Sequence, residues 1–375
     1  MKGFLSAGSK FILVITLSAF LMPLTGMAWW NTGHSLAALL AEKRLSEKTL
    51  KNVNELLSKQ IKLPGQVKCY STNAHYMAAT ASWMDEIKKG WWTSGSSKSF
   101  YSTAHYIDIP VDITNPPVPS DVRSLLETEI TVTGGDNVLT TLRSAVKSLA
   151  GDTTQGEKAF ALRLLIHNVG DITCPMHACD VQNGTSVPTT RGGNWVYINT
   201  PIQVKSVDGN SQKVSKLHAF WDSMANANEQ VPYADSCDLT SQDEEFLGKM
   251  VNVLNNKFSG ALDRNIANTP DIMDWAEDTA IVALTFTADP EIYKNSYVSN
   301  SRIYVDELSS DYQEKAKDAA QSQVFKAGAR LANLINAVYD PENAPAAYVD
   351  YVESLLKDKS VKYLFELKKV DVQFY

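Results

Sequence analysis

A chain of 375 residues that is 44% hydrophobic can bury a sizeable core, as one large domain or two smaller ones. Its formal net charge of −7 argues against a DNA-packaging protein or a polybasic membrane binder. It leaves action on nucleic acid open, because bound cations can supply local positive charge.

The first 28 residues read as a secretory signal peptide. Lys2 and Lys10 form a positive start, residues 11–24 form an apolar run, and Gly26-Met27-Ala28 offers small residues to a signal peptidase. The run falls short of the roughly 20 residues that a membrane span needs, and no later stretch is long enough and free of charge. Cleavage after Ala28 makes Trp29 the first residue, removes the two lysines and leaves a charge of −9. The mature protein is then expected to be secreted or periplasmic, with no transmembrane segment.

Helical periodicity dominates the rest of the chain. Amphipathic helices are expected over 33–45, 46–60, 71–90, 137–151 and 157–172. A loop-rich stretch covers 173–215, with a short hairpin around "NWVYI" and "QVKSV". Helices resume at 216–225, at 241–257 behind a capping box from Ser241 to Glu244, and over 271–288, 310–339 and 344–358. No repeat or linker divides the chain. The expected fold class is all-α, a mostly helical single domain with a short β-hairpin.

Only six histidines occur, His34, His75, His105, His167, His177 and His218. His167 and His218 each have an aspartate four residues on, Asp171 and Asp222, which on a helix lies on the same face. A surface ion pair explains such spacing as well as a metal site does. The setting separates them, for His167 and Asp171 sit in "LRLLIHNVGDI", where an ionisable pair needs a partner or a metal. His177 follows the helix-ending Pro175 and can fold back toward them. The four cysteines, Cys69, Cys174, Cys179 and Cys237, allow three disulfide pairings. Cys174 and Cys179 flank His177 and suit a small local loop. Without paired C-x-x-C units, zinc thiolates are the weaker reading.

Taken together, the motifs resemble the single-strand-specific zinc nucleases of fungi, plants and bacteria, which share their fold with bacterial zinc phospholipase C. The matching stretches run in order: "WWNTGH" at 29–34, "ASWMDEIK" at 81–88, "HYIDIP" at 105–110, "LLIHNVGDITCPMH" at 164–177 and "GGN" at 192–194. "LHAFWD" at 217–222, "WAEDTA" at 275–280 and "AGARLANLIN" at 327–336 complete them. The resemblance implies a trinuclear zinc centre in a nuclease domain of 29–340, followed by an extension, 341–375, of uncertain role.

Carried onto this sequence, the resemblance gives one zinc of a close pair Asp85, His105, His167 and Asp171. Its neighbour takes His34, Asp171 as a bridge, and the amine and carbonyl of Trp29. The third zinc takes His177, His218 and Asp222. His75 matches no ligand and reads as an ordinary helix residue. Lys88 and Asn194 match phosphate-contacting positions and, with Asp85, are the residues implied in catalysis. Tyr106 matches an aromatic that stacks a nucleobase, and Asp108 a residue that bonds its edge. Gly193 would let backbone approach the substrate. Arg191 replaces an apolar residue of the fungal enzymes and can stack on a base or touch phosphate.

The implied activity is hydrolysis of single-stranded RNA and DNA to 5'-phosphorylated products, with action on 3'-nucleotides. The alternative is a phospholipase C using the same metal centre. A non-catalytic zinc-binding protein is a third reading, disfavoured because zinc storage needs no phosphate contacts.

Overall fold

The computed structural model describes residues 29–59, 61–62, 76–85, 102–231, 239–367 and 373–374. Helices dominate, and the core is organised around one of them, Gln155–Asp171. Thr154 and Glu157 close a reciprocal cap at its start, with Glu157 N donating to Thr154 Oγ1 at 3.2 Å and Thr154 N to Glu157 Oε2 at 2.8 Å. Every residue from Ala159 to Asp171 is buried. Around this helix pack Asn31–Glu42, Glu47–Leu57, Val138–Ala150 and Ser310–Tyr339. Arg163, buried on the central helix, donates to Leu57 O at 2.8 Å and Lys59 O at 3.1 Å. It thereby satisfies carbonyls left open where Glu47–Leu57 ends.

The two motifs with no implied site residue have packing roles. Asp278 of "WAEDTA" accepts from Lys326 Nζ at 2.8 Å and Arg330 Nη2 at 3.1 Å, tying Ile272–Thr287 to Ser310–Tyr339. Gly328 of "AGARLANLIN" lies where the 30-residue helix crosses Asn31–Glu42. A Cβ there would sit 2.5 Å from Leu40 Cβ and 2.8 Å from Ala37 O. The helix carrying His34 is held close because position 328 has no side chain.

Strand structure is more extensive than the expected hairpin. A four-stranded sheet runs in the order Ser211–Lys216, Val196–Lys205, Arg302–Val305, Tyr297–Ser299. The outer pairs are antiparallel and the middle pair is parallel. "NWVYI" and "QVKSV" do not pair with each other, because Val196–Lys205 is one continuous strand with a bulge between Tyr197 and Ile202. The reversal falls instead at Asp208-Gly209-Asn210, where Gly209 takes φ +86° and Ser206 N donates to Asn210 O at 2.8 Å. A second, parallel pair joins Ile109–Asp112 to Cys179–Gln182. The cap of Ser241–Phe258 is Thr240 with Asp243, one residue before the expected box.

The Cys174–Cys179 loop does not form. The Cys174 thiol faces Asp222 Oδ1 at 3.7 Å and the Cys179 thiol faces Thr287 Oγ1 at 3.8 Å. Chain reversal at Pro175–His177 sends the two side chains to different neighbours. Cys69 and Cys237 lie outside the described residues. The segment after residue 340 packs on the domain through Ala346–Lys357, which lies against Val138–Ala150 and Ser310–Tyr339. Lys147 Nζ donates to Asp358 O at 2.6 Å, and Leu364 N to Ser148 Oγ at 2.8 Å.

Replacing Gly328 by Ala should force the two helices apart. The expected loss, read by urea unfolding, is about 1–3 kcal/mol. A midpoint unchanged from the unsubstituted protein would show that the crossing tolerates a methyl group.

Candidate metal centre

Five ionisable side chains converge from four parts of the chain. His34 comes from Asn31–Glu42, Asp85 from the helical residues 83–85 that follow the turn after Tyr76–Thr80, and His105 from the segment before Ile109–Asp112. His167 and Asp171 lie one turn apart on the central helix. All are buried, with exposure of 1% or less. Asp171 divides its oxygens: Oδ1 is 3.4 Å from His34 Nε2, while Oδ2 is 2.7 Å from His105 Nδ1 and 3.2 Å from His167 Nε2. Asp85 Oδ1 is 3.9 Å from both His105 Nδ1 and His167 Nε2. The His34 and His167 rings stack with centroids 4.1 Å apart.

A second group forms from His177, His218 and Asp222. Its position depends on the parallel strand pair, because His177 precedes Cys179–Gln182 and His105 precedes Ile109–Asp112. Ile107 N donates to His177 O at 2.9 Å, and His177 Nδ1 donates back to His105 O at 2.8 Å. The two groups are therefore joined by backbone. His218 and Asp222 share a face of Leu217–Asp222, with Nε2 to Oδ2 at 3.3 Å.

The donor atoms fit metal ions. They fall into three sets with all atoms within 4.8 Å of one another: His34, Asp85 and His167; His105, His167 and Asp171; and His177, His218 and Asp222. Three imidazoles have their outward nitrogen fixed by backbone. His167 Nδ1 bonds Ala81 O at 2.7 Å, His177 Nδ1 bonds His105 O, and His218 Nδ1 bonds Gly192 O. A proton on Nδ1 leaves Nε2 with its lone pair directed inward, as a ligand requires. Burial alone would lower the His167 pKa, yet Asp171 and Asp85 overcome it and raise it. The buried carboxylates thus demand positive charge, from a proton or from a cation.

Asp180 and Gly170 carry roles that the sequence reading missed. Asp180 Oδ1 accepts from Thr190 N at 2.9 Å, Thr190 Oγ1 at 3.0 Å and Gly192 N at 3.0 Å. It shapes the loop whose Gly192 carbonyl holds His218. Gly170 lies against His34, and a Cβ there would be 2.6 Å from His34 Nδ1. The signal for Gly170 was its place between His167 and Asp171 on an otherwise bulky helix. For Asp180 there was no local signal, because its partners lie ten and twelve residues away.

Tyr106, Asp108 and Arg191, expected on the substrate side, lie near one another and near the loop that holds His218. Tyr106 and Asp108 are half-buried while Ile107 between them is buried, as alternation in an extended segment requires. Burial, then Asp180 and Glu129, push the Asp108 carboxyl well above the usual carboxylate range. Asp108 Oδ1 is 3.7 Å from where a Cβ on Gly192 would lie. Arg191 is exposed and lies over the Trp195 ring at 4.4 Å. Asn194 closes the turn by donating from Nδ2 to Arg191 O at 3.0 Å. Gly193 is buried against Met176 and the His218 backbone, so it builds the turn. Trp29 is buried with Nε1 donating to Thr173 Oγ1 at 3.2 Å, and Trp30 N donates to Asp222 O at 2.6 Å. The Trp29-Trp30 segment thus lies between the end of the central helix and the second group. Lys88 and His75 lie outside the described residues.

Gly170→Ala should displace His34 and weaken metal binding about 10–100-fold. Elemental analysis after dialysis against graded free zinc measures this; metal retention equal to the unsubstituted protein would show that His34 is not a ligand.

The description of the S1/P1 nuclease family matches residues 29–340. Nuclease PA3 of a Penicillium species is 23% identical over 322 residues, spanning 84% of this chain and 100% of that protein. Nuclease S1 of Aspergillus oryzae is 21% identical over 330 residues, spanning 87% and 97%. Nuclease P1 of Penicillium citrinum is 23% identical over 322 residues, spanning 84% and 100%.

Proposed function

Because this chain belongs to the S1/P1 nuclease family, we propose that it is an exported zinc-dependent endonuclease. It hydrolyses phosphodiester bonds of single-stranded RNA and DNA to 5'-phosphorylated products and also acts on 3'-nucleotides. One observation carries this reading: three buried His/Asp groups adjoin a rim that presents Tyr106, Asp108 and Arg191.

Three zinc ions fit the donor set, which consists of imidazole nitrogens and carboxylate oxygens. Asp85, His105, His167 and Asp171 would hold one, and His34, Asp171 and the Trp29 amine and carbonyl a second. His177, His218 and Asp222 would hold the third. Zinc bound there would lower the pKa of a water and offset charge on a phosphate.

The chain's own residues do the rest. Tyr106 offers a ring face to an unpaired base, which selects single strands and tolerates sequence. Asp108, whose carboxyl keeps its proton more readily than an ordinary aspartate, can donate to an acceptor on the base edge. Asn194, Arg191 and Lys88 orient and neutralise phosphate oxygens. The Ala81, His105 and Gly192 carbonyls hold three imidazoles in one tautomer, so the site needs little rearrangement when substrate arrives. Removal of residues 1–28 frees the Trp29 amine, which can then serve as a neutral donor. Export and completion of the site are on this reading one event.

A phospholipase C built on the same ligands would want an apolar rim; here the rim has cationic and carboxyl groups. The test is a panel of single-stranded RNA, single-stranded DNA, duplex DNA, a 3'-nucleotide and phosphatidylcholine. It uses protein beginning at Trp29, with and without chelator. Cleavage of the single strands and the 3'-nucleotide, lost with chelator and largely lost when one residue precedes Trp29, is expected. Lipid hydrolysis without nuclease activity would overturn the proposal, and full activity of the extended chain would remove Trp29 from the ligands.

A further inference from the structure

The solvent face of the four-stranded sheet has an unusual composition. Its other face is core, built from Val196, Ile198, Ile303 and Val305. On the solvent face, cross-strand register sets Lys216 beside Tyr197, Tyr197 beside Tyr304, and Tyr304 beside Tyr297. The three tyrosine rings form a continuous stack. Tyr197 and Tyr304 are 5.2 Å apart at 19°, and Tyr304 and Tyr297 are 4.9 Å apart at 7°. Lys216 covers one end, 5.9 Å from the Tyr197 centroid. Tyr297 is the other end, on an edge strand and 52% exposed.

A cationic row runs beside the stack. Arg302 lies 5.8 Å from the Tyr197 ring and 6.0 Å from Trp195, whose ring Arg191 also covers. Among the described residues, no carboxylate lies within ion-pair distance of Arg191, Lys216 or Arg302. The feature that sets these cations apart is that they are gathered on one ring cluster, Arg191 and Arg302 over Trp195 and Arg302 and Lys216 over Tyr197. Cross-strand stacking alone would account for the tyrosines; it does not account for three cations gathered around them without a carboxylate partner among the described residues.

The strip also starts at the metal centre. Trp195 follows Asn194 directly, and Lys216 immediately precedes the Leu217–Asp222 helix that carries His218. From there it spans four strands, about 14 Å.

We infer that this sheet face is a strand-tracking surface for single-stranded nucleic acid, continuous with the metal centre. Phosphates lie along Lys216 and Arg302, and an unpaired base extends the tyrosine stack on the open face of Tyr297. The inference rests on the nuclease reading. It adds that a long substrate is held several nucleotides from the cleaved bond, where a dinucleotide cannot reach.

The experiment compares the unsubstituted protein with Tyr297→Ala and Arg302→Ala. A single-stranded 12-mer and a dinucleotide serve as substrates, and a fluorescent phosphorothioate 12-mer, which resists cleavage, serves as a binding probe. For each variant the 12-mer KM and the probe Kd should rise about 5–10-fold. Dinucleotide kinetics should stay within about twofold, and Tyr297→Phe should behave as the unsubstituted protein. Arg302→Ala should also flatten the salt dependence of probe binding by about 0.7 in log–log slope. Unchanged 12-mer KM and probe Kd would overturn the inference, as would equal losses on the dinucleotide or equal binding of a duplex 12-mer. If the unsubstituted protein binds the probe with these effects yet cleaves neither substrate, the nuclease reading fails and the strip stands.

Discussion

Asp171 is a carboxylate with no solvent exposure at the end of a buried helix, and much of the structure answers to that fact. Burying a charge is costly unless it is matched. Here His34 meets one oxygen while His105 and His167 meet the other. A carboxylate whose two oxygens face two ligand groups is arranged to bridge. The match needs His34 close to the central helix, and that needs Gly170 under its ring and Gly328 under its own helix. Packing and chemistry are here one constraint.

The backbone carries the second half of that constraint. Imidazoles left to rotate would present either nitrogen. Carbonyls of Ala81, His105 and Gly192 remove the choice for three of them. Each of these carbonyls is placed by a different device: the turn after Tyr76–Thr80, the segment entering the parallel strand pair, and a loop pinned by Asp180. The fold therefore orients three of these imidazoles through main chain, which sequence change disturbs little. That agrees with a family match over 29–340 at only 21–23% identity to individual relatives.

How much the sequence reveals depends on how local each signal is. His167 with Asp171 and His218 with Asp222 are legible because a helix places i and i+4 on one face. The helices Ser310–Tyr339 and Val138–Ala150 are legible from their periodicity. The strand pair linking His105 to His177 is not, since its four-residue strands are too short to show alternation and their partners are some 70 residues apart. The hairpin is misplaced from sequence because Thr200-Pro201 resembles a turn, whereas Asp208-Gly209-Asn210 makes it. A disulfide between Cys174 and Cys179 is suggested by proximity in sequence, and proximity does not fix direction. The tyrosine stack joins residues about 100 positions apart, so no local pattern could announce it.

The account stands on three metal ions gathered around Asp171, His177 and their neighbours. The direct measurement is anomalous X-ray diffraction at the zinc edge, on crystals of protein beginning at Trp29 and grown with zinc. It should give three peaks: two flanking Asp171, and a third between His177, His218 and Asp222. Zinc found only at surface carboxylates, with no peak beside Asp171, would contradict it.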